Sequence, residues 1–143
     1  MSELTEIDLE SSVSASLVPT AVGSNTRTQL MDLLGVPRGP IDRSAYSWSE
    51  LSPGLQAHLF SEDVSRGVKR FLIWGKPGVS TKRHDHGGDE VILVLEGHLQ
   101  DHRGVYGPGD ICRSKPGDVH EEHVTGPADC VCFVVYYGDI IPV

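Results

Sequence analysis

The chain has 143 residues, enough for one domain with one sizeable core, and its 20 acidic residues against 12 basic ones give a formal charge of −8. That balance argues against nucleic acid or an anionic membrane as a partner. No apolar run reaches the roughly 18 residues of a membrane span, and no basic-plus-apolar leader opens the chain, so a cytoplasmic location is expected.

Residues 1–25 are rich in Ser, Thr, Val and Glu and show no sustained period. They are expected to form an arm that is ordered by packing against a second subunit, through strand addition or exchange, in a homodimer. Asn25 or Thr26 is placed to cap a short helix near 28–35 through Leu30, Met31, Leu33 and Leu34, closed by Gly35 and stopped by Pro37. The arm and helix together are taken as 1–43, and a second unit as 44–143.

From Ser44 onward the signals are short strands between turns. Sixteen Gly and nine Pro with only 6% aromatic residues suit such a chain. Strands are predicted over 45–51, 55–60, 68–74, 90–96, 98–101, 105–106, 111–113, 119–124 and 130–137. The expected fold class is all-β, a double-sheet jelly-roll barrel. Cys112, Cys130 and Cys132 do not make a disulfide framework. Cys130 and Cys132 share one face of a strand, too close along it for a normal bridge, and are read as buried thiols.

The chemistry concentrates in the stretch 78–97, GVSTKRHDHGGDEVILVLEG, with His84, His86 and Glu90 ahead of an apolar run. On an extended segment, side chains two apart share a face, whereas a helix would set them about 200° apart. Gly87 and Gly88 let the chain bend back, so that Glu90 reaches the same point as the two imidazoles. Nitrogen and oxygen donors of this kind suit a first-row divalent metal. Downstream, the proline–glycine turn in 109–120, GDICRSKPGDVH, leads to His120. With His120 inward, Glu122 shares its face, while Glu121 and His123 point out.

The spacing G-x5-H-x-H-x3-E-x6-G resembles the first motif of the cupin superfamily, and Pro116-Gly117 with His120 resembles the second. The second motif departs from the family at its far end, where Val124 stands in place of an Asn. Within the superfamily, HDHGGDEVILVLEGHLQDHRGVYGPGD is most similar to ChrR-like cupin domains. The resemblance implies four metal ligands, His84, His86, Glu90 and His120, around one divalent ion: zinc or iron(II), with manganese or nickel as further options. An octahedral ion would keep two positions open, whereas a tetrahedral zinc would be filled.

Tyr46, Arg70, Trp74, His98, Gln100, Tyr106 and Tyr136 are candidates to surround the metal or meet a substrate. Of these, Tyr106 and His98 are taken as the catalytic pair. Two functions follow. One is a metal-dependent enzyme, an oxygenase, isomerase or lyase, acting on a small oxygenated metabolite. The alternative is a stand-alone sensory or ligand-binding cupin. The resemblance also implies anti-sigma factors, but their helical zinc domain needs an HxxxCxxC pattern, and this chain has no cysteine before Cys112.

Overall fold

The computed structural model describes Val36 and residues 40–143. Most of the expected arm and the whole of the expected helix near 28–35 lie outside the described residues. Residues 39–143 form one compact unit, and its only helical turn among the described residues is a 3-10 turn (Arg43–Ala45) whose first amides Asp42 caps.

Eleven strands follow in order: β1 (Ser49–Ser52), β2 (Leu55–Asp63), β3 (Val68–Gly75), β4 (His84–His86), β5 (Glu90–Glu96), β6 (His98–Asp101), β7 (Gly104–Tyr106), β8 (Ile111–Ser114), β9 (His123–Thr125), β10 (Cys130–Tyr137) and β11 (Ile140–Pro142). One sheet has the order β1-β2-β3-β10-β5-β8 and is antiparallel throughout. The smaller groups β11-β4 and β7-β6-β9 are tied together by isolated bridges at His84–His120 and Ser80–His123. Two antiparallel layers built this way are a jelly roll.

The register explains the core. Across β3, β10, β5 and β8, Phe71, Val134, Ile92 and Cys112 fall in one row, and Lys69, Tyr136, Glu90 and Ser114 in the next. Residues in a row share a face because side chains alternate along each strand. The inner face therefore carries Ile92, Val94, Cys112, Cys130, Cys132, Val134 and Tyr136, joined by Leu99 and Val124 from the other layer. The outer face near β2 is covered by aromatic rings, among them Tyr46, Trp48, His58, Phe60 and Phe133, with centroid spacings from 4.9 to 6.3 Å. β10 is thus packed on both sides, with every residue from Cys130 to Tyr136 buried.

Two expected strands need correction, and the first, over 45–51, begins only at Ser49, after the Arg43–Ala45 turn. The strand predicted over 119–124 is confined to β9, because the backbone N–H and C=O of His120 are both spent on His84. Glu96 does not extend the inward row of β5. A bulge at Val131–Cys132 shifts the register, and the Glu96 carboxylate instead accepts from the Ile41 amide at 2.7 Å and pairs with Arg43.

Candidate metal centre

Gly87 and Gly88 bring His86 and Glu90 together. A side chain at Gly87 would meet the Asp139 backbone, and one at Gly88 would overlap the Tyr137 carbonyl. Only a chain without Cβ atoms can run this close to the end of β10. The turn delivers Glu90 to β5 with its carboxylate 3.3 Å from His86 Nε2. On the far side, the paired hydrogen bonds between His84 and His120, at 2.9 and 3.0 Å, set those two residues opposite one another.

One donor atom from each of His84, His86, Glu90 and His120 lies within 4.8 Å of all the others, and all four residues are buried. The three imidazole rings stand edge to face with centroids 4.7–5.0 Å apart. His86 Nε2 is 3.3 Å, and His120 Nε2 3.7 Å, from Glu90 Oε1. The structure therefore brings together the four side chains singled out from the sequence.

Each ring has its own support. His84 Nδ1 donates to the Lys82 carbonyl at 2.6 Å, which leaves Nε2 bare. His120 Nδ1 donates to Asp101 Oδ2 at 3.1 Å, a carboxylate behind the imidazole of the kind that fixes ring orientation in metal sites. Asp101 is held in turn by Arg103, through its backbone amide at 2.8 Å and its Nη2 and Nε at 2.8 and 3.1 Å. Burial opposes the charge on Asp101, but Arg103 and His120 outweigh it and bring the pKa down to about 2. His86 stacks on the ring of Tyr136, 6.1 Å away.

Electrostatics and unmet hydrogen bonds both describe a cation site. Glu90, Glu122 and Asp101 are buried carboxylates against the Arg103 guanidinium, which leaves two formal negative charges when the imidazoles are neutral, as they are when they ligate, and this complements a divalent ion. Burial disfavours a proton-borne charge on His120, yet Glu122, Glu90 and Asp101 around it win and raise its pKa to about 10. His86 is raised in the same sense, with Glu90 overcoming burial. Glu90 is lowered, because His120 and His86 outweigh its own desolvation. His84 Nε2, His120 Nε2, Glu122 Oε1 and the Tyr136 hydroxyl are buried with no hydrogen-bond partner among the described residues. Buried nitrogen and oxygen atoms without partners, gathered around one cluster, fit a first-row divalent metal that takes the place of the His120 proton.

A cavity of about 570 Å³ opens beside this cluster. His84, Glu90, Glu122 and Tyr136 line it together with Thr81, Lys82 and Arg83, and Phe71, Ile92, Val134 and the thiols Cys130 and Cys132 supply apolar surface. The two Sγ atoms are 3.6 Å apart and unbridged. Cys132 is raised well above the usual thiol range by its neighbour Cys130 and by burial, so that thiol stays neutral.

The other candidates are placed as follows. His98 is exposed at the start of β6, and Tyr106 is half-buried on β7 with its pKa pushed up to about 12 by burial; neither lines the cavity. Tyr46 and Trp74 belong to the outer aromatic cluster, Arg70 binds Ser61 Oγ at 2.9 Å, and Gln100 is exposed. His123 is exposed and meets Ser80 Oγ at 3.0 Å, outside the cluster. Asp101 was not among the sequence candidates; its signal was the Asp-x-Arg-Gly turn, which fixes the carboxylate locally but not its meeting with His120.

The sequence profile of the ChrR cupin-like domain matches residues 38–138. No curated protein matches the chain. Among solved structures, the anti-sigma factor ChrR of Rhodobacter sphaeroides, in complex with SigE, is 24% identical with a TM-score of 0.58, over 90% of this chain and 75% of that one. An RmlC-like cupin from Ralstonia eutropha is 20% identical with a TM-score of 0.61, over 76% and 73%. An acetylacetone dioxygenase from Acinetobacter johnsonii is 13% identical with a TM-score of 0.61, over 73% and 75%. At these identities the likeness is one of fold.

Proposed function

The chain belongs to the ChrR cupin-like family, and from that premise we propose that it is a metal-dependent enzyme acting on a small, mostly apolar molecule with an oxygen donor at one end. The observation that carries this reading is the cavity. A space of about 570 Å³ has His84, Glu90 and Glu122 in its lining, so a molecule held by its apolar wall could reach the four-residue cluster with a polar group.

His84, His86, Glu90 and His120 would hold the ion. An ion there, zinc or iron(II), would supply Lewis-acid polarisation of a substrate oxygen and, if redox-active, electron transfer. The chain's own residues do the rest. Ile92, Val134 and Phe71 exclude water and keep the site's dielectric low, which strengthens every charge interaction inside it. The Tyr136 hydroxyl, buried without a partner, keeps its proton because burial pushes its pKa up, with Glu90 and Glu122 adding to the effect. It is therefore a donor free to meet a ligand oxygen. Small diketones and hydroxy acids are the first compounds to test, and the fold likeness to an acetylacetone dioxygenase supports that choice.

The experiment is metal analysis of protein purified without added metal, followed by O2-uptake and product assays with those compounds, using His86→Ala as the control. Turnover by the one-metal protein and none by the variant is expected. A protein that binds metal and a small molecule but converts nothing would favour the second reading, a sensory or ligand-binding domain. Its support is the likeness to the anti-sigma factor ChrR across 90% of this chain.

A further inference from the structure

Glu122 stands outside the four-residue cluster, and its position is unusual for a buried acid. Its side chain is 7% exposed, and Oε1 has no hydrogen-bond partner among the described residues. That oxygen nevertheless lies 2.7 Å from His120 Nε2 and 3.9 Å from His84 Nε2. The imidazole nitrogen at 2.7 Å is equally unsatisfied, so the two atoms are close without pointing at each other. With the His120 proton gone, two donor atoms in that relation are both left for a third partner.

The separations say what the point could hold. Donors bonded at about 2.1 Å to one ion stand about 3.0 Å apart when adjacent and about 4.2 Å when opposite. The Glu122 distance to His120 of 2.7 Å is a little short of the adjacent separation and that to His84 of 3.9 Å a little short of the opposite one, while the 3.3 and 3.7 Å distances from His86 and His120 to Glu90 lie between the two. Glu122 is also fixed in place. Thr81 Oγ1 donates to Oε2 at 3.2 Å and accepts from the Glu122 amide at 2.9 Å, and the Thr81 amide donates to the Glu122 carbonyl at 2.9 Å.

We propose that Glu122 is a fifth donor to the metal, held by Thr81, so that a six-coordinate ion keeps one open position rather than two. This rests on the reading of His84, His86, Glu90 and His120 as ligands. It narrows the substrate class: a molecule that binds through one oxygen fits beside Glu122, whereas a chelating one must displace the carboxylate. The Thr81 hydrogen bonds oppose that displacement.

The test is cobalt(II) titration of the metal-free protein, read by visible absorption and by competition with a chromophoric chelator. Glu122→Gln is expected to keep one ion per chain, to shift the cobalt bands, and to weaken affinity at least about tenfold, the scale that even outer partners of a metal site command. Thr81→Val, which leaves the carboxylate but removes its hydroxyl anchor, is expected to shift the bands in the same direction by less. A folded Glu122→Gln protein, checked by near-ultraviolet circular dichroism, with unchanged bands overturns the proposal, and Glu122 is then only an ion-pair partner of His120. If Glu122→Gln does not fold, unchanged bands in Thr81→Val overturn it instead. A wild-type protein that takes up no stoichiometric cobalt refutes the metal reading itself, a result distinct from either.

Discussion

Asp101 offers a sharp test of how the site is built, because it touches no other member of the cluster except through His120. Its Oδ1 accepts from the Arg103 amide, while Oδ2 accepts from Arg103 Nη2 and Nε and from His120 Nδ1. Asp101→Asn keeps the shape but turns one of these acceptors into an NH2 group. Whichever way the amide flips, a donor then faces a donor, either the backbone N–H or the guanidinium and imidazole together. A lost hydrogen bond to a charged partner at a buried site costs about 1.5–3 kcal/mol of stability. The loosened His120 should cost about 10- to 100-fold in metal affinity, about 1.4–2.7 kcal/mol. Chelator competition with zinc or cobalt measures the second, and denaturant unfolding of the metal-free protein the first. A folded variant whose metal affinity stays within about threefold of wild type would refute the idea that Asp101 positions His120 for the ion.

Metal binding at pH 8 should release about one proton per ion, because His120, with its pKa near 10, holds a proton when the site is empty and gives it up as a ligand. Calorimetry in buffers of different ionisation enthalpy reads this, and a buffer-independent enthalpy would count against it. Gly88→Ala should destabilise the fold by about 1–3 kcal/mol or more, since the new methyl overlaps the Tyr137 carbonyl, a backbone atom that cannot swing away; an unchanged melting midpoint would show that the turn has more room than described. The homodimer expected from the sequence gains motive from Leu51, Leu59 and Phe60, which lie exposed on or beside the edge strand β1. Light scattering should return twice the chain mass, and a monomer unaffected by deleting residues 1–24 would end that idea.

The strands that sequence reading bounded best are β5, β6 and β10, found at the predicted residues. β5 and β10 are apolar runs of strand formers closed by glycine, and β6 is fixed between Gly97 and the Arg103-Gly104 turn, so local pattern and tertiary pairing agree. The candidate metal cluster was legible for the same reason: His84, His86 and Glu90 are neighbours in sequence, and their spacing is itself the geometry. What escaped depends on distant pairing. The meeting of Asp101 with His120 requires β6 to lie beside β9, and nothing within reach of either residue announces it. Glu122 was placed inward by alternation, but its convergence on His120 depends on Thr81, 41 positions away. β11 escaped because Ile140–Pro142 is too short, and too near a proline, to show a period.

The place of β10 has a consequence for how the molecule is assembled. It lies between β3 and β5, yet it leaves the ribosome after both of them. Until it arrives, the two strands that will flank it have no shared partner, and their inward edges are open to pairing with other chains. All contacts that close the large sheet are therefore non-local, which makes for slow folding. The four residues that could hold a metal, by contrast, are complete by His120, before β10 begins. A cation gathered by those residues would tie β4, β5 and the approach to β9 together while the gap is still open. The ion would then act as a provisional clasp, holding the slot into which the central strand must insert.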